Sequence, residues 1–455
     1  MTSESKKTSF FSHWFRFLKP APFRAEIEDP QVVKKRYRYW RFRIFYGMYL
    51  GYALFYFTRK SFPFAIAALS NDLGYSKAEL GFLGSVLYIT YGVSKFVSGI
   101  MGDKSNPRYF MATGLILTGM FNILFGLSSS LIFFALFWGL NGWFQGWGWP
   151  GCAKLLTHWY SQSERGTWWS LWNTSHNLGG AFIILLATWL SQHYGWRVAM
   201  YFPGFICVIV GFFLINRLRD TPQSLGLPSI ERYRNDYSSK SNREEKEKTQ
   251  LSVKKILWDY VLTNKFIWVL ALSSFFVYVI RTAVNDWTLL FLVETKGYSY
   301  FEAGKCVTFF EIGGFCGGLA AGWSSDKLFR GKRNPINVLF ILGTLLSLMG
   351  VWFYTGVHWS FDYLLVFSSG FFIFGPQMLI GIACAELSHK KAAATATGFA
   401  GTFGYLGAAA AGGPLGHLTT VYGWDGYYSV LTGCALMAAL LLFPLWSVKS
   451  NPQQA

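Results

Sequence analysis

Read from its amino end, the chain alternates between apolar stretches near twenty residues long and short polar connections. Six such stretches lie near residues 44–67, 79–100, 109–128, 130–151, 167–190 and 198–217. Six more lie near 265–292, 303–323, 335–356, 360–383, 393–416 and 425–447. About 20 apolar residues in helical form cross the roughly 30 Å of bilayer hydrocarbon. The expected fold class is therefore an all-α polytopic membrane protein with twelve transmembrane helices. The pattern divides into an N-terminal arm (1–40), a six-helix bundle (41–217), a charged linker (218–264), a second six-helix bundle (265–448) and a tail (449–455). No cleavable signal pattern precedes the first stretch, which is expected to serve as the insertion signal.

Composition agrees with lipid as the solvent. The chain is 52% hydrophobic and only 14% charged, against about a quarter charged in soluble domains. A formal net charge of +18 raises nucleic-acid binding, but the placement of the cations removes it. They gather at Lys34 to Arg43, Lys104 with Arg108, Arg217 with Arg219, Arg232 to Lys255, Lys327 to Arg333 and Lys390 with Lys391. Every cluster flanks an apolar stretch, and the clusters fall in alternate loops. That is the positive-inside pattern, and it places both termini in the cytoplasm. The six cysteines mostly lie within apolar stretches and show no C-x-x-C spacing, so neither disulfides nor a metal site is expected. No phosphate-loop, zinc-protease or nucleophile-elbow motif occurs, so neither an ATP-driven pump nor a cofactor is expected.

The two halves repeat each other. "GIMGDKSNPR" (Gly99 to Arg108) follows the second span and "GWSSDKLFRGKR" (Gly322 to Arg333) follows the eighth. Pro150 precedes "SQSERG" as Pro376 precedes "SHKKAA". Two parallel six-helix halves related by an axis along the membrane normal are a recognised transporter plan. The same repeat contains a charge anomaly. "YALFYFTRKSFPFA" (Tyr52 to Ala65) and "FFVYVIRTAVNDW" (Phe275 to Trp287) each hold Tyr-x-x-Arg, at Tyr56–Arg59 and Tyr278–Arg281. Each arginine lies about 15 residues into its apolar stretch, roughly 22 Å along the helix, so the pseudo-twofold axis sets them face to face across a central cleft.

An arginine at the bilayer centre costs at least about 2.5–3.5 kcal/mol. One reading pairs each with a carboxylate for packing alone. The first span contains no acid, whereas Arg281 has Asp286 five residues on and Glu311 in the eighth span. The other reading makes the two guanidiniums a clamp for a dianionic oxyanion, since a phosphate monoester carries about −1.5 to −2 charge and accepts bidentate arginine contacts. Lys60 points about 100° away from Arg59 around the helix and is expected to pair with an acid such as Asp286. Lys95 either snorkels to the interface or faces the cleft. His176 in "WNTSHNLGG" is either a packing group or a titratable phosphate donor. Tyr52, Tyr56, Tyr91, Trp149, Trp172 and Tyr405 are candidate linings for a sugar-sized cleft, with ordinary helix packing as the alternative for each. The small-residue run Ala392 to Gly413 suits a helix that packs closely and shifts.

These stretches, with "YGVSKFVSGIMGDKSNPR", "FQGWGWPGCAKLLTHWYSQSERG" and "FGPQMLIGIACAELSHKKAAATATGF", resemble the organophosphate:phosphate antiporters of the major facilitator superfamily. The similarity runs from about Tyr37 to the last span. "GYALFYFTRKSF", "ITYGVSKFVSGI" and "RLRDTPQSLGLP" look closest to the hexose-phosphate branch and its sensor-like members. The resemblance implies a bacterial inner-membrane protein that exchanges hexose 6-phosphate for inorganic phosphate by rocking two bundles. It places the phosphate-binding pair on Arg59 and Arg281, the histidine on His176, and cycle-dependent ion pairs on Lys60, Lys95, Asp286 and Glu311. Some hexose-phosphate transporters carry an aspartate–lysine pair in span eleven, whereas Ala392 to Gly413 holds no charge. The alternative implied function is a membrane sensor of external hexose phosphate that signals to a partner kinase, with the arm or linker as its docking surface. The expected partners are thus sugar phosphate, inorganic phosphate and the bilayer, with a signalling partner only in the sensor case.

Overall fold

Asp29 opens the first helix by accepting from the backbone N–H of Gln31 (2.8 Å) and Val32 (3.4 Å), ahead of a proline at the first helical position. That helix, Pro30–Leu73, has 44 residues and is about 66 Å long, so its early turns project beyond the bilayer. The computed structural model describes residues 16–103, 105–236, 257–329, 332–356, 358–388 and 393–448. Lys104, the linker run "SSKSNREEKEK", Lys390, Lys391 and the tail lie outside the described residues.

The remaining spans of the first half are Lys77–Asp103, Pro107–Leu127, Leu131–Gln145 continued by Gly148–Trp159, Gln162–Tyr194 and Trp196–Arg217. Those of the second are Lys265–Lys296, Tyr300–Lys327, Asn334–Tyr354 and Trp359–Leu387, followed by Ala393–Ala410 and Gly413–Leu442. The last helix bends at Gly423 (φ 66°, ψ −164°), and that bend separates the eleventh span from the twelfth. Two details differ from the hydropathy reading. The fourth span breaks after Gln145 and runs on to Trp159, and the eleventh is interrupted at Ala411–Gly412 before Gly413 continues it to the bend.

Eight described stretches are long and apolar enough to cross a bilayer unaided, the last of them, Thr395–Leu445, having 51 residues for two passages. The first, fourth and fifth spans fall outside that set. The first carries Arg59 and Lys60, the fourth is broken, and the fifth opens on Gln162–Glu164 and contains His176. They cross because neighbouring helices cover their polar groups, not because they are oily themselves.

Internal symmetry reaches the loops. Gly74-Tyr75-Ser76-x-x-Glu79 and Gly297-Tyr298-Ser299-x-x-Glu302 open the second and eighth spans. Both glycines adopt left-handed backbone (φ 70° and 69°), which costs glycine nothing. Ser76 and Ser299 each exchange side-chain and backbone hydrogen bonds with the glutamate three residues on, satisfying orphan N–H groups at the helix start. Glycines also set the approach of the pore helices. A Cβ at Gly179 would collide with the Ala53 carbonyl, and one at Gly407 with the Phe275 carbonyl. Ala53 and Phe275 each stand six residues before an arginine of the Tyr-x-x-Arg pair, so both halves use the same contact to seat the fifth span on the first and the eleventh on the seventh.

The two bundles meet tightly at the face opposite the basic loops. Lys77 pairs with Glu294 (2.7 Å), Asn71 donates to Tyr300 Oη (3.0 Å), and Phe301 N–H donates to Gln192 (3.1 Å). Deeper in, Ser85 Oγ donates to the Ala409 carbonyl (2.5 Å) and accepts from Gly413 N–H (2.8 Å). A Cβ at Gly81 would sit 2.6 Å from the Gly412 carbonyl oxygen, so only glycine permits this closure. On the basic face, the arm and the start of the linker cap the first bundle. Tyr37 stacks on Tyr233 at 4.0 Å, Arg24 N–H donates to the Gln223 carbonyl (3.0 Å), and Glu164 is bridged by Arg41 (2.7 Å) and Arg234 (3.0 Å).

Adjacent glycines in the eighth span provide an internal control for helix packing. A Cβ at Gly317 would overlap the Phe371 carbonyl of the tenth span, whereas one at Gly318 would meet nothing within 4 Å. Gly317→Ala is expected to cost about 1–3 kcal/mol as an overpacked contact and to lower the apparent melting midpoint in detergent by several degrees, with Gly318→Ala unchanged. Equal midpoints for the two variants would show that these helices do not touch as described.

Candidate functional site

The site begins with how the first span is held. Pro63 lies within the helix and supplies no N–H for the carbonyl of Arg59, one turn earlier. Around that turn the fourth span contributes side-chain bonds: Gln145 Nε2 donates to the Phe55 carbonyl (3.0 Å) and Thr58 Oγ1 (2.8 Å), and Asn141 Nδ2 donates to the Thr58 carbonyl (3.0 Å). These buried amides fix the turn that presents Arg59. Nothing in the apolar pattern singles them out, although polar amides inside an apolar stretch are themselves a signal.

Arg59 and Arg281 are treated alike. The Arg59 guanidinium stands 4.7 Å from the centre of the Tyr56 ring and 4.2 Å from that of Tyr91. That of Arg281 stands 4.7 Å from the centre of the Phe374 ring. Among the described residues no carboxylate forms an ion pair with either, and the Nε of each is buried without a hydrogen-bond partner. Tyr56 and Tyr88 each lie within electrostatic reach of both arginines, so the two charges share one neighbourhood. Aromatic faces offset part of the cost of an unpaired cation without neutralising it.

The neighbouring lysine is handled in the opposite way. Lys60 is buried and forms an ion pair with Glu311 of the eighth span, and its Nζ also donates to Asn285 Oδ1 (2.8 Å). Asn285 Nδ2 donates to Asp286 Oδ1 (2.5 Å), Tyr88 Oη donates to Asp286 Oδ2 (2.8 Å), and Asn177 Nδ2 reaches Glu311 Oε2 (3.5 Å). The sequence expectation of an acid partner for Lys60, such as Asp286, is met by a different acid. Its acid is Glu311, and Asp286 is linked to it only through Asn285. The reason is register: Asp286 follows Asn285 immediately, so only one of the two can point at the lysine, and the amide does. Asn177, Asn285 and Tyr88 complete a polar chain across both bundles that the spacing of charges did not reveal. Gly180 leaves room for it, since a Cβ there would lie 3.3 Å from both Glu311 Oε2 and Lys60 Nζ.

Aromatic groups surround the arginines. His176 is half-buried, with its ring 5.5 Å from that of Tyr56. Tyr52 packs between Tyr56 (5.9 Å) and Trp172 (4.7 Å). Trp172 is fully buried and supports Tyr52 from behind, which is the packing alternative for this residue. Tyr91 of the second span meets Tyr405 of the eleventh at 4.9 Å, and Tyr405 meets Tyr278 at 5.8 Å. Lys95 Nζ lies 3.5 Å from Tyr405 Oη and 5.8 Å from the Trp149 ring, and that indole is 37% exposed. Lys95 therefore turns toward the second bundle and does not snorkel along its own helix. The assembled neighbourhood holds three cations without a carboxylate partner among the described residues (Arg59, Arg281 and Lys95), a histidine and several phenol groups. Such a set attracts and hydrogen-bonds an anion.

Twelve helices in two pseudo-symmetric bundles, with an inter-bundle charged site and one sealed face, define a transport protein and not an enzyme. The chain belongs to the Major Facilitator Superfamily, whose family profile matches residues 48–412. It is 58% identical over 442 residues to a probable hexose phosphate transport protein of Chlamydia pneumoniae, covering 95% of this chain and 97% of that one. It is 49% identical over 439 residues to the membrane sensor protein UhpC of Escherichia coli, covering 96% and 99%. A solved bacterial homologue of the lysosomal transporter Spinster, inward-facing and unoccupied, superposes with a TM-score of 0.72 at 14% identity, covering 89% of this chain and 96% of that one. At that identity the superposition speaks for the fold alone.

The Lys60–Glu311 pair generates a stability test. Removing one partner of a buried ion pair leaves an uncompensated charge and costs about 3–5 kcal/mol, whereas an apolar replacement of both is often neutral. Lys60→Met and Glu311→Leu alone are expected to lower the melting midpoint in detergent strongly, and the double variant to regain most of the loss. Additive losses in the double variant would mean that the two side chains are not coupled.

Proposed function

We propose that this protein is a plasma-membrane antiporter that exchanges hexose 6-phosphate for inorganic phosphate by alternating access, with both termini in the cytoplasm. The observation that carries the reading is the pair Arg59 and Arg281, one from each bundle at equivalent positions, both without a carboxylate partner among the described residues. Two forked cations suit a phosphate dianion. His176 and Lys95 stand on its flanks as further donors, and Tyr52, Tyr56, Tyr91, Tyr405 and Trp149 provide stacking and hydroxyl contacts for a sugar. The 58% identity to a protein named for hexose phosphate transport supports the sugar-phosphate class.

Electrostatics explains why exchange is obligatory in this reading. Two guanidiniums about 10 Å apart repel by about 1.7 kcal/mol at an effective dielectric near 20, and closing the cleft strips their water. A bound phosphate removes both penalties, so the loaded carrier reorients and the empty one does not. In the present conformation the face opposite the basic loops is sealed and Lys60 is locked to Glu311 across the bundles. Opening that face separates the pair, and ligand held between the arginines draws the bundles together to compensate. A sensor reading has one observation in its favour: the described part of the arm and the start of the linker form a cap on the first bundle, a surface a signalling partner can read.

Phosphate-loaded proteoliposomes separate the two. Labelled glucose 6-phosphate is expected to enter, with internal phosphate accelerating uptake, whereas binding without uptake identifies a sensor. Arg59→Lys and Arg281→Lys keep the charge but lose the fork. A charge-assisted hydrogen bond contributes about 1.5–3 kcal/mol, so exchange should fall by about 100-fold at unchanged expression. Near-normal exchange by either variant refutes the clamp.

A further inference from the structure

The first helix extends well beyond the bilayer before its apolar run begins at Ile44. Beside it, at the basic end of the sixth span, lies an open groove of about 1080 Å³. Five cations line it, Lys34, Lys35, Arg38, Arg43 and Arg217, and no acid does. Tyr39, Phe42 and Tyr46 complete its wall, with Phe42 72% exposed.

The cationic excess is built in. Arg43 donates to the Asn216 carbonyl (3.0 Å) and side chain (2.5 Å), Arg108 to the Ile215 carbonyl (2.5 Å), and Arg219 to the carbonyls of Asn216 (2.9 Å) and Leu218 (2.6 Å). Together with Arg217, four guanidiniums converge on one helix end, where the exposed carbonyls favour positive charge. Among the described residues none of the four forms an ion pair, nor do the three cations on the helix extension. The Nε atoms of Arg43 and Arg217 are buried with no hydrogen-bond partner, and the Arg217 guanidinium lies 4.8 Å from the centre of the Phe213 ring. Burial, together with neighbouring Arg108 and Arg43, pulls the pKa of Arg219 below its ordinary value.

The depth of the groove identifies the anion. It opens at the basic end of the sixth span, which carries the exposed apolar stripe Phe202, Phe205, Ile209 and Phe212. An acyl chain follows such a stripe while the headgroup phosphate reaches the guanidiniums. Basic pockets between transmembrane helices at the membrane surface hold acidic lipid headgroups. We propose that this groove is a binding site for an anionic phospholipid of the leaflet on the basic face, seated with its phosphate among Arg43, Arg217 and Arg38 and separate from the central cleft.

Native mass spectrometry of the full-length protein in detergent, titrated with phosphatidylglycerol or phosphatidylcholine, tests this. One phosphatidylglycerol is expected to be retained at least about tenfold more tightly than phosphatidylcholine. In Lys34→Gln/Lys35→Gln/Arg38→Gln, made on the exposed helix extension, that retention should weaken by about 100-fold. Excess inorganic phosphate should leave the lipid in place. Equal retention of the two lipids, undiminished retention in the triple variant, or displacement by free phosphate each overturns the assignment. Should the triple variant fail to elute as a single folded species, Arg217→Gln carries the same test, with the expected loss about tenfold.

Discussion

A guanidinium in a membrane needs either a counter-charge or water, and this protein gives its two central arginines no carboxylate partner among the described residues while pairing the lysine beside one of them. Arg59 and Lys60 are adjacent, so the difference is not one of depth. Lys60 is placed where Glu311 and Asn285 reach it, and Arg59 beside the rings of Tyr56 and Tyr91. The rest of the architecture follows from keeping two unneutralised charges in one neighbourhood. The bundles must be joined firmly enough at one face to hold those charges in register.

The joining is done by small residues and by polar contacts, since apolar side chains gain little by leaving lipid for one another. Gly81 meets Gly412 at the sealed face, and Gly179 and Gly407 bring the fifth and eleventh spans against backbone carbonyls just before each arginine. The Ser85 hydroxyl adds hydrogen bonds across the bundles without adding bulk. Glycine contacts and the buried Lys60–Glu311 pair thus both join the two bundles.

Charge on the basic face has a different character. Within the cap, Glu164 and Glu26 compensate Arg41, Arg234 and Arg232, and the arm is tied to the linker by backbone bonds. Around the end of the sixth span the cations instead meet carbonyls and aromatic rings. Two populations of basic residues thus share one face, one paired with carboxylates and one with carbonyls and rings, and the positive-inside pattern records both without distinguishing them.

Periodicity and length were enough to read twelve crossings, the duplication, the basic face and the Tyr-x-x-Arg pair, because each depends on residues close together in sequence or on a repeat. Even the breaks had local signs, since the Gly74 and Gly297 turns repeat a six-residue phrase. Partner choice was not local. That Lys60 takes Glu311 and leaves Asp286 to Tyr88, that Trp172 is buried behind Tyr52, and that Lys95 leans toward Tyr405 all depend on how far one helix is rotated against another. That rotation is set by glycine contacts between spans distant in the chain. Hydropathy and charge placement thus marked the twelve segments and the charges that come with them, while the packing of helix on helix decided which of those charges gained a partner.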